Sequence, residues 1–124
     1  MLTAAKLRSH CLALPGTVEE FPFVPGLSVF KVAGKVFALS RLGERPLSVS
    51  LKCEPELAEQ LRATYPAIRP GYHLNKRHWN TVDIDGSLAD RLLLDMVEDS
   101  YDLVVAGLPK KTQTALGWPP SRGS

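Results

Sequence analysis

Strict alternation of apolar and polar side chains marks residues 47–52, LSVSLK. In an extended strand successive side chains point to opposite faces, so Leu47, Val49 and Leu51 share one face. A strand that is apolar on one face only is typical of an antiparallel sheet with one face buried. The rest of the chain must therefore supply the layer that covers this apolar face.

The flanking segments carry patterns that complete such a sheet. Residues 27–42, LSVFKVAGKVFALSRL, are rich in β-branched and aromatic side chains and are interrupted by Ala33-Gly34. Gly34 can adopt the positive φ that a tight hairpin requires, so we expect two strands joined at this point. Residues 43–46, GERP, predict a second turn, and TVDID at 81–85 predicts a later strand.

Helical signals occur in three places. Thr3 can cap a first helix, Pro55 can occupy the first turn of a second, and residues 88–104 carry the apolar stripe of a third. Residues 17–26, with two prolines and two glutamates, predict an ordered loop. The predicted order is helix, three strands, helix, one or two strands, helix. We therefore predict the α+β class: a two-layer sandwich in which an antiparallel sheet packs on helices.

Length and composition fit one domain. With 124 residues, 44% of them hydrophobic, the chain can bury one core. We assign residues 1–111 to the α+β domain, and we expect residues 112–124, which lack periodicity, to form a loose C-terminal tail. Cys11 and Cys53 show no CxxC spacing, so reduced thiols are expected.

Hydropathy bears on location in the cell. No apolar run reaches the ~18–20 residues of a membrane span, and the first residues lack the pattern of a secretory signal. We therefore expect a cytoplasmic protein with no membrane partner. A monomer is the expected state of assembly.

Motifs of the common enzyme classes are missing. The chain contains no GxxxxGK[ST], no GxGxxG between a strand and a helix, no GxSxG and no HExxH. His73 and His78 are five residues apart, but a zinc site needs three or four ligands, and the remaining histidine, His10, lies in the first predicted helix. We therefore expect no metal, no cofactor and no catalytic activity.

Charge is unevenly distributed along the chain. The formal net charge is only +2, but residues 60–82 and 103–124 together contain seven basic residues and no acidic one. The remaining positions combine 8 basic with 13 acidic residues. Such segregation predicts one cationic and one acidic surface, and a cationic surface favours polyanionic partners.

Basic and aromatic side chains are concentrated in residues 69–82, RPGYHLNKRHWNTV, around two turn signals, Pro70-Gly71 and Asn75-Lys76-Arg77. The segment predicts a hairpin with strands at 72–74 and 78–82 and with Lys76 and Arg77 at its tip. Basic and amide side chains on a protruding tip can contact phosphates and base edges. This interpretation favours binding to nucleic acid.

Two other interpretations fit the same segment. Tyr72, His73, Asn75, His78 and Trp79 could line a polar–aromatic cleft that binds a protein or a small ligand. Alternatively, His73 or His78 could act as the acid–base group of an enzyme. Salt separates the two binding interpretations, because phosphate contacts weaken with added salt whereas binding in a cleft does not.

Five stretches together resemble the MmcQ/YjbR family of small bacterial proteins, over about residues 7–111. They are CLALPGTVEEFPF, VFKVAGKVFAL, VSLKCEPELAEQLR, YPAIRPGYHLNKRHWNTV and SYDLVVAGLPKK. The resemblance implies a frataxin-like fold, with a curved antiparallel sheet on helices, and DNA binding through a "double wing" of two hairpins. A frataxin-like fold also suggests iron handling, but that activity needs a ridge of carboxylates and the first predicted helix has none.

The two wings map to the hairpins at 33–35 and 75–77. The resemblance implies that side chains on these wings and on nearby strands face the phosphate backbone of double-stranded DNA, with Trp79 supporting or stacking. Little sequence specificity is expected. The residues implied are Lys31, Lys35, Lys52, Asn75, Lys76, Arg77 and His78.

Overall fold

Four helices and a six-stranded sheet make up the computed structural model of the chain, which describes residues 1–71 and 74–119. The helices are α1 (Ala4–Ala13), α2 (Pro55–Thr64), α3 (Asp90–Ala106) and α4 (Lys110–Ala115). The strands are β1 (Thr17–Glu20), β2 (Ser28–Val32), β3 (Lys35–Ser40), β4 (Ser48–Lys52), β5 (Ile68–Pro70) and β6 (Trp79–Asp83). Neighbouring strands in the order β1-β2-β3-β4-β6-β5 are all antiparallel, which confirms the predicted α+β class.

One face of this sheet is buried against helices. Val49 and Leu51 of β4 are buried, whereas the polar residues that alternate with them are half-buried, which confirms the predicted pattern. Helix α3 packs over β3 and β4, and α2 lies over β5 and β6. The rings of Tyr101 and Phe37 meet edge to face with centroids 5.4 Å apart. Each buried Val, Leu or Phe of such a face contributes about 1.5–3 kcal/mol to folding.

The structure confirms two features predicted from the local sequence, a helix cap and a hairpin turn. Thr3 Oγ1 accepts a hydrogen bond from Lys6 N at 3.2 Å and caps α1. Ala33 and Gly34 have φ values of 50° and 80°, so the chain turns between β2 and β3 through the left-handed region, as a two-residue hairpin requires.

The first strand differs from the prediction. Residues 17–20, expected in a loop, form β1 at the edge of the sheet. Its position is fixed by Glu19, whose carboxylate accepts hydrogen bonds from Arg8 Nε and Ser28 Oγ, each at 2.7 Å. These contacts join residues distant in sequence, so no local pattern reveals them.

The strand before the basic loop also lies elsewhere than predicted. Strand β5 comprises Ile68–Pro70, Leu74 occupies a bend, and Tyr72 and His73 lie outside the described residues. Ile68 stands opposite Val82 in the register with β6, and both side chains are buried. Burial of this apolar pair accounts for a strand at residues 68–70.

The C-terminal segment packs against the domain as far as Trp118, although the sequence predicts a loose tail from residue 112. Gln113 is buried, and its Nε2 donates to the carbonyl oxygens of Val105, Ala106 and Leu108 at 3.0, 3.2 and 3.1 Å. The end of α3 leaves such carbonyl groups without helical partners, so one glutamine anchors α4 there. Residues 120–124 lie outside the described residues.

Ser100 of α3 joins β3 to β4 where the ladder between these strands stops. Phe37 and Lys52 would form the next opposed pair of the register. The Ser100 hydroxyl is inserted between them: it accepts from Lys52 N at 2.8 Å and donates to Phe37 O at 2.6 Å. Since Ser100 is fully buried, its hydroxyl satisfies two strand groups that water does not reach.

We predict that Ser100→Ala lowers the free energy of unfolding by about 2–4 kcal/mol, because a buried N–H and a buried C=O both lose their partner. Urea denaturation followed by circular dichroism measures the change. Ser9→Ala, on an exposed position of α1, is the matched control and is expected to change it by less than about 0.5 kcal/mol. A similar small loss for Ser100→Ala would contradict the bridging role.

Candidate nucleic-acid interface

Strand direction brings the two predicted wings to the same end of the sheet. Because neighbouring strands are antiparallel, β2 and β4 finish where β3 and β6 begin. The β2–β3 hairpin and the β5–β6 loop therefore leave the sheet at the same end. Strand β4 lies between β3 and β6, so the two connections are centred about three strand spacings apart, roughly 14 Å.

The β2–β3 hairpin protrudes into open space. A Cβ built on Gly34 meets no atom within 4 Å, and Ala33, Gly34 and Lys35 are all exposed. The hairpin therefore presents Lys35 to solvent, as the sequence predicts.

Asn75 organises the loop that precedes β6. Its side-chain Oδ1 accepts a hydrogen bond from Arg77 N at 2.9 Å, and its carbonyl oxygen accepts from His78 N at 3.2 Å and Trp79 N at 2.9 Å. This tight turn leaves Asn75, Lys76 and Arg77 exposed, whereas His78 and Trp79 are half-buried. The loop thus has a cationic tip and an aromatic base.

Arg62 of α2 clamps this loop to the domain. Its Nη1 donates to Lys76 O and to Asn80 Oδ1, both at 2.9 Å, and Asn80 Nδ2 reaches Ala58 O at 3.4 Å. Asn80 is buried, so the Arg62 guanidinium satisfies an acceptor that has little access to water. In the sequence Arg62 stands out only as one more charge, and nothing there predicts its role as a clamp.

Helix α4 adds two lysines to the same end of the molecule. Gly16, just before β1, lies beside Leu116 and Val32: a Cβ on Gly16 would be 2.5 Å from Leu116 Cδ2 and 3.6 Å from Val32 Cγ2. Val32 is the last residue of β2, so the segment that follows α4 lies at the end where the wings emerge. Lys110 and Lys111 of α4 are both exposed.

We call this region the cationic end and define it by the exposed residues Lys35, Lys76, Arg77, Lys110 and Lys111. Within residues 1–71 and 74–119, none of these five side chains forms an ion pair with a carboxylate within 4.0 Å. Three chain segments thus place five cations at one end of the sandwich.

The other basic and aromatic residues of the predicted interface are half-buried. Lys31 Nζ forms an ion pair with Glu20 Oε1 at 2.9 Å, across the β1–β2 pair. Lys52 is half-buried at the end of β4, opposite Trp79. His78 and Trp79 lie at the base of the loop rather than at its tip, so Trp79 is placed to support the loop.

Asp83 is neutralised by Arg69 rather than by the tip of the loop. Arg69 Nε and Nη2 donate to the two carboxylate oxygens of Asp83 at 2.9 and 2.8 Å. These hydrogen bonds raise the pKa of the Arg69 guanidinium. Asp83 lies at the opposite end of β6 from Arg77, and the Arg77 side chain is exposed.

Among the described residues no group of three or more His, Cys, Asp or Glu side chains could hold a metal ion. In the same part of the chain no helix is long and apolar enough to cross a membrane. The polar–aromatic cleft predicted as an alternative includes Tyr72 and His73, which lie outside the described residues.

An antiparallel sheet with helices on one face and basic loops at one end defines an α+β protein with a candidate polyanion-binding surface. A sequence model described as YjbR matches residues 12–103, and the chain belongs to this family. Several relatives of similar sequence support this assignment.

Two Escherichia coli proteins are similar in sequence. YbdF of strain O157:H7 is 40% identical over 102 residues, which cover 82% of this chain and 84% of YbdF. YjbR of strain K12 is 38% identical over 115 residues, which cover 93% and 98%. Because the alignments span nearly the full relatives, the likeness concerns the whole domain.

Solved structures show that the similarity includes the fold. The crystal structure of Deinococcus radiodurans protein DR2400, assigned to domain DUF419, matches with a TM-score of 0.90 and 42% identity and covers 100% of this chain and 96% of that one. A crystal structure of a Pseudomonas syringae protein matches with a TM-score of 0.72 and 29% identity, covering 82% and 98%. Membership of the family that the sequence resembles is therefore confirmed.

Arg62→Met tests the clamp, because it keeps the aliphatic stem of the side chain and removes the guanidinium. Asn80 Oδ1 then remains buried without its charged donor, so we predict that the free energy of unfolding falls by about 1–3 kcal/mol in urea denaturation. Amide exchange of residues 76–78 should accelerate as well.

Arg91→Met is the matched control for the clamp. Its guanidinium forms an exposed pair with Asp95 at 3.2 Å, one helical turn away, and such pairs contribute only about 0.3–0.5 kcal/mol. Equal losses of stability in the two variants would show that Arg62 is an ordinary surface charge.

Proposed function

We propose that the protein is a non-catalytic, cytoplasmic nucleic-acid-binding protein, which binds double-stranded DNA through its cationic end with little sequence specificity. The observation that carries the proposal is the convergence of five exposed cations from three chain segments, with no ion pair to a carboxylate among the described residues. The β2–β3 hairpin and the β5–β6 loop act as the two wings.

The spacing of the wings suits a duplex. At roughly 14 Å the centres of the two wings are separated by slightly more than the width of the major groove, which is about 12 Å. Lys35 on one wing and Lys76 and Arg77 on the other can therefore reach phosphates on both sides of one groove. Lys110 and Lys111 extend the contact along the backbone.

Low specificity follows from the geometry of Asn75. An asparagine reads adenine through both atoms of its amide group. Here Asn75 Oδ1 already accepts the hydrogen bond from Arg77 N that holds the turn, so the amide cannot make that bidentate contact without opening the loop. Phosphate contacts then dominate, and these carry no direct sequence information.

The expected affinity is modest. Five phosphate contacts give a slope of log K against log salt concentration of about −4 to −5 for a duplex. Glu54, Asp99 and Asp102 line a cavity between α2 and α3, and their charges oppose a polyanion. Binding should therefore be strong enough to measure only at low salt.

We predict that Lys76→Ala/Arg77→Ala weakens binding to a labelled 20-base-pair duplex and makes the salt slope shallower by about two, because two phosphate contacts are lost. Fluorescence anisotropy at several salt concentrations measures both quantities. The fold should be retained, since Arg62 binds the backbone oxygen of residue 76 and not its side chain.

Lys6→Ala/Arg91→Ala is the matched control. It removes the same charge from exposed positions near the starts of α1 and α3, which lie at the opposite end of the sandwich. Its salt slope should equal that of the wild type. Wild-type binding by the Lys76/Arg77 variant, or equal losses in both variants, would reject the proposed surface.

Lys110→Ala/Lys111→Ala tests whether α4 belongs to the same surface. We predict a second, similar reduction of the salt slope by about two, because these lysines share the end of the molecule with the wings. An unchanged slope in the anisotropy titration would restrict the surface to the two wings.

A ligand-binding module is the second candidate function, and one observation favours it. The sheet face opposite the helices forms a trough of about 620 Å³. Ser50 and Thr81, whose hydroxyl groups are 2.9 Å apart, contribute to its floor, and Phe23 and Leu74 to its walls. Binding there would be insensitive to salt, unlike binding at the cationic end.

A further inference from the structure

The trough on the sheet face opposite the helices has one apolar wall. Phe23, Val24 and Leu27, from the loop between β1 and β2, and Leu39 of β3 contribute to this wall. The Phe23 side chain is 64% exposed although it lines the trough. A ligand that covers this ring would remove apolar surface from water, which favours binding by the hydrophobic effect.

A turn with two opposite charges closes the end of the trough. Residues 41–47 join β3 to β4, and within them Glu44 N donates to Arg41 O at 3.0 Å. The Cα atoms of Arg41 and Glu44 therefore lie within about 7 Å of each other, as in any β-turn. Both residues are exposed and both line the trough.

These two charges are not engaged elsewhere in the part of the chain that the structure describes. Neither Arg41 nor Glu44 forms an ion pair within 4.0 Å there, with each other or with another residue. Arg69, the third charged residue of the lining described, already forms the bidentate pair with Asp83. The turn thus offers one positive and one negative charge side by side.

This pattern of charge selects among ligands. A ligand with a single charge meets attraction from one residue of the turn and repulsion from the other. A zwitterion with its two charges close together is attracted by both residues. An α-amino acid carries its ammonium and carboxylate groups on one carbon atom, so a single turn can bind both groups.

The size of the trough admits a large side chain. A cavity of about 150 Å³ holds one benzene molecule, so a trough of about 620 Å³ accommodates even the indole of tryptophan. The apolar wall lies beside the turn, because Leu39 and Arg41 are two residues apart at the end of β3. The side chain of a bound amino acid can therefore lie against this wall.

We propose that the trough binds the zwitterion of an apolar α-amino acid, with its carboxylate at Arg41, its ammonium group at Glu44 and its side chain against Phe23 and Leu39. The inference rests on the second candidate function, since it names the ligand class of the same trough, and it does not depend on DNA binding. Because the two charges are exposed to solvent, we expect a dissociation constant of about 1 mM.

Tryptophan and two blocked derivatives test the charge pattern. Tryptophanamide lacks the carboxylate, and N-acetyltryptophan lacks the ammonium group. Titrations of the ¹⁵N-labelled protein, followed by NMR at low ionic strength and slightly acidic pH, should show each derivative binding about threefold more weakly than tryptophan. Amide shifts should change at residues 39–41, 44–50 and 81, which line or adjoin the trough.

Arg41→Gln and Glu44→Gln assign each charge to its partner. Arg41→Gln should remove the preference for tryptophan over tryptophanamide and keep the preference over N-acetyltryptophan, and Glu44→Gln should do the reverse. The turn is retained in both variants, because its hydrogen bond joins backbone atoms. Lys6→Gln and Glu59→Gln, at exposed positions of α1 and α2, are the matched controls and should keep both preferences.

Phe23→Ala and Phe21→Ala form a matched pair that tests the location. Phe23 lines the trough, so its loss should weaken tryptophan binding by about fivefold. Phe21 is 56% exposed and is not part of the lining described, so Phe21→Ala should bind like the wild type. Undiminished binding by Phe23→Ala would overturn the assigned location.

Equal affinities for the three probes, with shift changes in the trough, would overturn the amino-acid proposal and retain a ligand-binding module. No shift changes in the trough with any probe, at about tenfold the expected dissociation constant, would overturn both. Lys76→Ala/Arg77→Ala should bind tryptophan like the wild type, because the trough binds it through Arg41 and Glu44. Weaker binding by that variant would contradict the independence of the two sites.

Discussion

The antiparallel pairing of all six strands is the constraint on which the rest of the structure depends. It forces alternate connections to opposite ends of the sheet, so the β2–β3 hairpin and the β5–β6 loop emerge together. Burial of one face then fixes the register, because a shift by one residue would move Val49 and Leu51 to the other side. Ser100 secures this arrangement by joining β3 and β4 to α3.

Local signals account for the parts of the fold that the sequence predicts. The alternation in β4, the cap at Thr3 and the turn at Ala33-Gly34 each involve residues within a few positions of one another. Such signals act before tertiary structure forms and therefore leave a pattern that can be recognised. The same holds for the exposed tip at Lys76 and Arg77.

Long-range contacts account for what the sequence does not predict. Strand β1 depends on contacts of Glu19 with α1 and β2, and once β1 is in place Glu20 can pair with Lys31. The Arg62 clamp and the Gln113 anchor likewise join segments that are separate in sequence. Lys31, a predicted phosphate contact, is thus paired with Glu20 of β1, in a segment that the sequence predicts as a loop.

Basic and acidic residues lie close together at the end of the sheet that carries the wings. The wings and α4 carry basic residues at this end of the sheet, while Glu54, Asp99 and Asp102 line the cavity between α2 and α3. The cavity adjoins the base of the β5–β6 loop, because Cys53 N donates to His78 O at 2.8 Å and Lys52 stands opposite Trp79.

A titration of the ¹⁵N-labelled protein with a short DNA duplex, followed by NMR, tests the central claim most directly. The account predicts that amide shifts change at residues 33–35, 74–78 and 110–111 and stay constant in the loops at 21–27 and 41–47, at the other end of the sheet. Shift changes confined to those opposite loops, or spread evenly over the surface, would contradict it.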